Sequence, residues 1–158
     1  MKRPFLPALL PLLLCSALAH GAPFYEGKSL AHPAIDASQD SGADIAFIKE
    51  KDGVNGYYCE CKNSGTKTFL LDQFGNAVIR SVFYASLDKE SDTSVQTMLV
   101  LFRQGDRNGL RAYRYHRSSG KYRRLDGLQP ALNRIVAQAG SPNAGQVKAA
   151  LAKLAPMD

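Results

Sequence analysis

The residues with most chemical potential are the cations and tyrosines of one central stretch, Val95–Arg124. It holds eight of the 20 lysine and arginine residues and one acid, Asp106. Tyrosine and arginine dominate the anchor residues of protein interfaces, so this stretch is the predicted partner-binding region. Its candidate contact residues are Arg103, Arg107, Arg111, Tyr113, Arg114, Tyr115, His116, Arg117, Tyr122, Arg123 and Arg124. The alternative is a solvated hairpin whose arginine stems cover apolar surface.

Side-chain alternation along the second strand of this stretch divides its residues between two faces. On a strand, one face carries Arg111, Tyr113, Tyr115 and Arg117. The other face carries Leu110, Ala112, Arg114 and His116. A basic surface with interleaved tyrosines favours anionic partners such as an acidic protein face or lipid headgroups. Nucleic acid would also fit such a strand, but the export signal described below argues against it.

The Ser-x-x-Lys motif of enzymes that form an acyl-serine intermediate occurs twice, at Ser86–Lys89 and Ser118–Lys121. Serine acylation of this kind places the serine at the start of a helix with the lysine one turn later. Here one match follows a strand and the other occupies a hairpin turn, so both are interpreted as chance matches. The sequence predicts no catalytic residue, and the chain is predicted not to be an enzyme.

The sequence also gives only weak indications of a metal-binding site. Asp88, Glu90 and Asp92 offer oxygen ligands for calcium but lack the spacing and glycine of an EF-hand loop. His32 and His116 have no cysteine or carboxylate at zinc-ligand spacing. Neither a metal nor a cofactor is therefore predicted.

Two cysteines, Cys59 and Cys61, lie one residue apart on a predicted strand. Positions i and i+2 of a strand are near the outer limit of disulfide reach, so a bond between them would bend the strand. Three alternatives remain open: a local disulfide, two thiols, or a bond to another chain. A structural role is favoured over thiol exchange.

The N-terminus has the build of a secretory signal peptide. A short cationic start precedes the leucine-rich segment Phe5–Ala19, which is too short to span a bilayer as an anchor. Cleavage is expected after Ala19, or alternatively after Gly21. Removal of residues 1–19 lowers the net charge from +6 to +4. The signal peptide itself predicts that the protein is exported to the periplasm.

The remaining chain is predicted to have an irregular N-terminal arm, residues 20–43, and a single α+β domain, residues 44–156. An antiparallel meander of about five to seven strands is expected, with the apolar strand Val95–Phe102 covered on both faces. Apolar residues at helical spacing then predict two C-terminal helices packed on one sheet face. Gly140 is the expected stop of the first helix, and Ser141 the N-cap of the second.

This combination of export signal, small domain and tyrosine–arginine hairpin resembles the small periplasmic immunity proteins that bacteria make against secreted antibacterial effectors, such as type VI effectors. The stretch that carries the resemblance is Leu110–Leu132, a strand, turn and short strand leading into a helix. The resemblance implies binding to a toxin enzyme that degrades peptidoglycan or phospholipid, with its active-site cleft blocked. The alternative function is a periplasmic module that binds an anionic ligand or the envelope surface through the basic hairpin.

Overall fold

The computed structural model describes residues 23–37, 43–59, 67–87 and 96–153. The predicted signal peptide, Cys61 and the acidic loop at 88–94 lie outside these ranges. Eight strands precede two helices in the described part of the chain, which confirms the predicted α+β class. The strands are β1 Leu30–Ala37, β2 Ala43–Glu50, β3 Gly53–Cys59, β4 Thr68–Gly75, β5 Val78–Ala85, β6 Thr97–Gln104, β7 Arg107–His116 and β8 Lys121–Arg124. The helices are α1 Gln129–Ala139 and α2 Ala144–Leu151.

The strands form two antiparallel sheets of four strands each, both in sequential order. We call β1–β4 sheet A and β5–β8 sheet B. The sequence predicted one meander and an irregular arm over residues 20–43, but β1 lies within that arm and pairs with β2. Irregular pairing on both sides of His32, together with Pro33, obscures the period-two alternation by which a strand is recognised.

Two glycines allow the start of β3 and the end of β4 to lie close together, at the point where the chain leaves sheet A. Gly53 has a φ of 124° and Gly75 a φ of 56°, both in the region that favours glycine. A Cβ atom on Gly53 would overlap the backbone of Gly75. The tight strand end therefore depends on glycine at position 53.

Sheet B is the middle of three layers, between sheet A and the helices. Its strand β6 explains the arrangement, because every residue from Thr97 to Phe102 is buried. Met98, Val100 and Phe102 join the core shared with sheet A, and Leu99 and Leu101 join the core shared with the helices. The predicted burial of this strand on both faces is confirmed.

The helices complete the second core through one apolar side each. In α1 the buried residues include Leu132, Ile135 and Val136, and Gly140 ends the helix with a φ of 64°, as predicted. The N-cap of α2 is Asn143 rather than the predicted Ser141, because Asn143 and Gln146 form a reciprocal capping box. Neither helix of the described chain is long and apolar enough to cross a membrane.

Candidate functional site

The predicted contact residues lie along a β7–β8 hairpin that is too long to form one patch. At about 3.3 Å per residue, the ten residues of β7 separate its ends by roughly 30 Å. Arg103 and Arg107 lie at the β6–β7 turn, whereas Arg117 and Tyr122 lie at the opposite end. The structure thus divides the predicted site into a turn region, a middle region and a hairpin end, which we define as residues 114–123.

The middle region is organised by Asp72 of β4, whose carboxylate receives donors from two strands of sheet B. Tyr113 donates its hydroxyl to Asp72 Oδ2 at 2.6 Å. Arg111 Nη1 lies 3.1 Å and Arg124 Nη1 lies 3.4 Å from the same oxygen. Arg124 also forms an ion pair with Asp126 at 2.9 Å. This cluster joins the two sheets by charge-assisted hydrogen bonds.

Arg111 is further held between two aromatic rings of the inter-sheet core. The guanidinium carbon lies 4.7 Å from the ring centroid of Phe74 and 5.0 Å from that of Phe102. One guanidinium nitrogen also donates to the carbonyl of Gln73 at 2.8 Å. Such cation–π and hydrogen-bond partners give Arg111 a role inside the protein.

Tyr113 is fully buried, so it has no surface to offer a partner. Burial, and then the hydrogen bond to the carboxylate of Asp72, raises the pKa of the Tyr113 phenol well above its ordinary range. The hydroxyl therefore remains a neutral donor. The sequence-based assignment of Tyr113 to a partner-binding surface is wrong. Its neighbours Arg111 and Arg124 form ion pairs with Asp72 inside the protein.

Tyrosine rings line one side of the hairpin end. Tyr115 and Tyr122 are directly opposite in register, with ring centroids 5.2 Å apart. Tyr122 contacts Tyr58 of sheet A edge-on at 5.3 Å, and Tyr58 stacks on Phe69 at 5.2 Å. Because Tyr58 is buried, this series of rings fixes the two half-buried tyrosines against sheet A.

Cations occupy the rest of the hairpin end. Arg117, Lys121 and Arg123 are exposed, and no carboxylate of the described residues lies within ion-pairing distance of them. Lys121 Nζ lies 5.9 Å from the ring centroid of Phe69. His116 and Arg114 are half-buried, and Arg114 makes an interaction within the chain. Accessible cations beside anchored tyrosines make this the part of the predicted surface that can contact a partner.

The turn region is a separate feature with mixed charge. A groove of about 330 Å³ lies between the β6–β7 turn and α1, and Asp106 and Arg107 both line it. The side chain of Asn108 ties the turn to the carbonyl of Gly140 at 2.7 Å. Arg103 is exposed on the adjacent strand. Arg103 and Arg107 therefore do not extend the surface of the hairpin end.

Cys59 is buried at the end of β3 and is disulfide-bonded, so it carries no free thiol in this structure. Its predicted neighbour Cys61 is outside the described residues. Within the described ranges, no group of three or more histidine, cysteine or acidic side chains is placed to hold a metal ion.

Asp72, Tyr58 and Phe69 are functional or supporting residues that the sequence alone did not reveal. Asp72 is 41 residues from Tyr113 and 52 from Arg124, so no local spacing connects them. The one local signal is an acid among the apolar residues of β4, since an inward-facing carboxylate requires a partner.

Comparison with known proteins leaves the functional argument to this geometry: no protein-family model, curated protein or solved structure matches the chain.

Proposed function

We propose that this chain is an exported, non-enzymatic binding protein that inhibits a secreted enzyme, as an immunity protein inhibits its toxin. The contact surface in this proposal is the hairpin end. One observation carries it: Tyr115 and Tyr122 are anchored on sheet A beside exposed cations that form no ion pair with any carboxylate of the described residues. The signal-like N-terminus supports a periplasmic location for such an inhibitor.

The anchoring of the tyrosines favours a protein partner. Binding costs conformational entropy whenever mobile side chains must be ordered, and side chains already held in place avoid much of that cost. Tyr122 is held by Tyr58, and Tyr115 is held by Tyr122. Pre-positioned tyrosines next to arginine match the composition of interface hot spots.

The alternative partner is an anionic ligand or the envelope surface, and the exposed cations Arg117, Lys121 and Arg123 support it. Exposed charges are screened over about 10 Å at 0.1 M ionic strength, so purely electrostatic binding would be lost as salt rises. Binding anchored by the half-buried tyrosines Tyr115 and Tyr122 would retain a salt-resistant component.

The test is capture of the partner by the tagged mature protein from secreted and envelope fractions, followed by an assay of the captured enzyme. The hairpin variant combines Tyr115→Ala with Arg117→Glu. Its matched control combines Tyr57→Ala with Lys51→Glu, which change a half-buried tyrosine of β3 and an exposed cation of the β2–β3 turn.

Wild type and control are expected to capture one stoichiometric enzyme and abolish its activity. The hairpin variant should lose at least about tenfold in affinity, as expected when a hot-spot anchor is truncated. Equal inhibition by all three proteins would contradict the assignment of the surface. Recovery of lipid or polyanion alone, released by salt, would contradict the inhibitor function.

A further inference from the structure

The groove between the β6–β7 turn and α1 has the size and the polar groups of a site for a small molecule. It lies at the end of β7 that is remote from the hairpin end. Its volume of about 330 Å³ is at the lower end of the roughly 300–1,000 Å³ that is usual for ligand-binding clefts. A ligand of this groove must therefore be small.

Two side-chain amides hold the walls of the groove in place. Asn108 donates to the carbonyl of Gly140 at 2.7 Å and so connects the turn to the end of α1. On the helix side, Gln129 donates to Oδ1 of Asn133 at 2.9 Å and to the carbonyl of Leu110 at 2.8 Å. Both walls are set before a ligand enters, which lowers the entropic cost of binding.

The lining of the groove offers an anion, a cation and an amide donor. Asp106 and Arg107 are neighbours in the chain, and both are exposed. They form no ion pair with each other or with another residue of the described ranges. Because Oδ1 of Asn133 accepts from Gln129, the NH₂ group of Asn133 is left as a donor for a ligand.

The C-terminal end of α1 adds to the attraction for a positively charged group. The last carbonyl groups of a helix carry a partial negative charge, and no basic side chain in the last turn of α1 offsets it. Ala137 and Gly140, from this end of α1, line the groove together with Asp106. The groove thus combines two features that attract an ammonium group with one guanidinium group that attracts a carboxylate.

We infer that this groove binds a dipeptide with free ends and small side chains. Asp106 and the end of α1 bind its ammonium group, and Arg107 binds its carboxylate by charge-assisted hydrogen bonds. Asn133 donates to the peptide carbonyl, while Val136 and Ala137 contact the side chains. An extended dipeptide is about 7 Å long, which suits the small volume. The site is separate from the hairpin end, so the inference goes beyond the proposed inhibitor function and does not depend on it.

The probe is L-alanyl-L-alanine, and two blocked forms of it report on its two charges. The N-acetyl form lacks the ammonium group, and the C-terminal amide lacks the carboxylate. Each compound is titrated into the isotope-labelled mature protein while backbone amide shifts are followed by NMR. Shifts are expected at residues 105–108 and 133–140. Each blocked form should bind about three- to fivefold more weakly than the free dipeptide, the upper part of the range for an exposed ion pair.

Charge-removing variants identify which residue binds each end of the dipeptide. Asp106→Asn should weaken binding of the free dipeptide by a similar factor, but it should not weaken binding of the N-acetyl form, which has no ammonium group to lose. Arg107→Gln should likewise weaken binding of the free dipeptide but not of the amide. The matched controls Asp52→Asn and Arg103→Gln change exposed residues outside the groove and should bind the dipeptide as wild type does.

Absence of shifts at the groove up to the solubility limit of the dipeptide would overturn the inference. Blocked forms that bind as tightly as the free dipeptide would also overturn it, and so would controls that weaken binding as much as the groove variants do. Thermal unfolding of each variant verifies that it is folded.

Discussion

Asp72 shows how one carboxylate determines the role of residues that the sequence presents as a binding surface. Its side chain is only 20% exposed and receives Tyr113 and Arg111 from β7 and Arg124 from β8. Removing the charge would leave a buried hydroxyl and a half-buried guanidinium without their anionic acceptor. The cost of such a loss exceeds the net value of the intact pair, because the remaining groups stay desolvated.

Asp72→Asn is expected to lower the free energy of unfolding by about 1.5–3 kcal/mol, the range for a hydrogen bond to a charged group. Urea denaturation followed by circular dichroism measures the change. Asp106→Asn is the control, since Asp106 is exposed in the β6–β7 turn, and it should change stability by less than about 0.5 kcal/mol. Equal effects of the two substitutions would show that the Asp72 cluster does not stabilise the fold.

The raised pKa of Tyr113 predicts that the folded protein loses stability at alkaline pH. Its pKa is raised in the folded protein from the ordinary 10.0, by burial and by the Asp72 carboxylate. The stabilisation is fully present below about pH 10, where the phenol of the unfolded chain is also protonated, and is lost as pH rises towards the folded pKa. Unfolding free energies measured across about pH 9–11 should therefore fall less steeply in Tyr113→Phe than in wild type. Parallel curves for the two proteins would show that ionisation of Tyr113 does not cause the loss of stability at high pH.

For strand β7, the sequence predicted which residues share a face, but it did not predict which face packs on sheet A and which packs on the helices. Alternation correctly placed Arg111, Tyr113 and Tyr115 on one face of β7. It could not show that this face packs on sheet A while Leu110 and Ala112 pack on the helices. A face is assigned to solvent or core by strands far away in the chain, and no local pattern contains that information.

The start of α2 gives an element-scale test with a built-in control. Asn143 accepts from the backbone of Gln146 at 2.9 Å, so Asn143→Ala should cost about 1 kcal/mol of stability. Ser141 was the N-cap expected from the sequence but makes no capping contact, so Ser141→Ala should be nearly neutral. Thermal unfolding of both variants measures the difference, and a larger effect at Ser141 would restore the sequence-based assignment.

At the scale of the whole molecule, the two cores share the strands of sheet B. Residues of β5, β6 and β7 contribute to the core against sheet A and to the core against the helices. Loss of either core would expose one face of the shared strands and weaken the other core. The sequence predicted the strands and helices but not this layering, because the division into two sheets depends on pairing between distant segments.

The shared sheet predicts one cooperative unfolding transition. Urea curves from far-ultraviolet circular dichroism and from tyrosine fluorescence should coincide, as in two-state unfolding. The chain has no tryptophan, so the tyrosines at the hairpin end and in the cores are the natural fluorescent probes. Loss of helical signal at lower urea than the tyrosine signal would show that the helical layer unfolds independently.

The strands at the sheet boundaries have a consequence for self-association. An exposed strand edge is a template on which another chain can add a strand and begin an aggregate. Two of the four edge strands have features that hinder this: β1 contains Pro33 and pairs irregularly with β2, and β8 is four residues long and carries three cations. Proline, irregular pairing, short length and positive charge each hinder addition of a further strand. The cations of β8 that we assign to partner recognition therefore also hinder another copy of the chain from adding a strand at this edge.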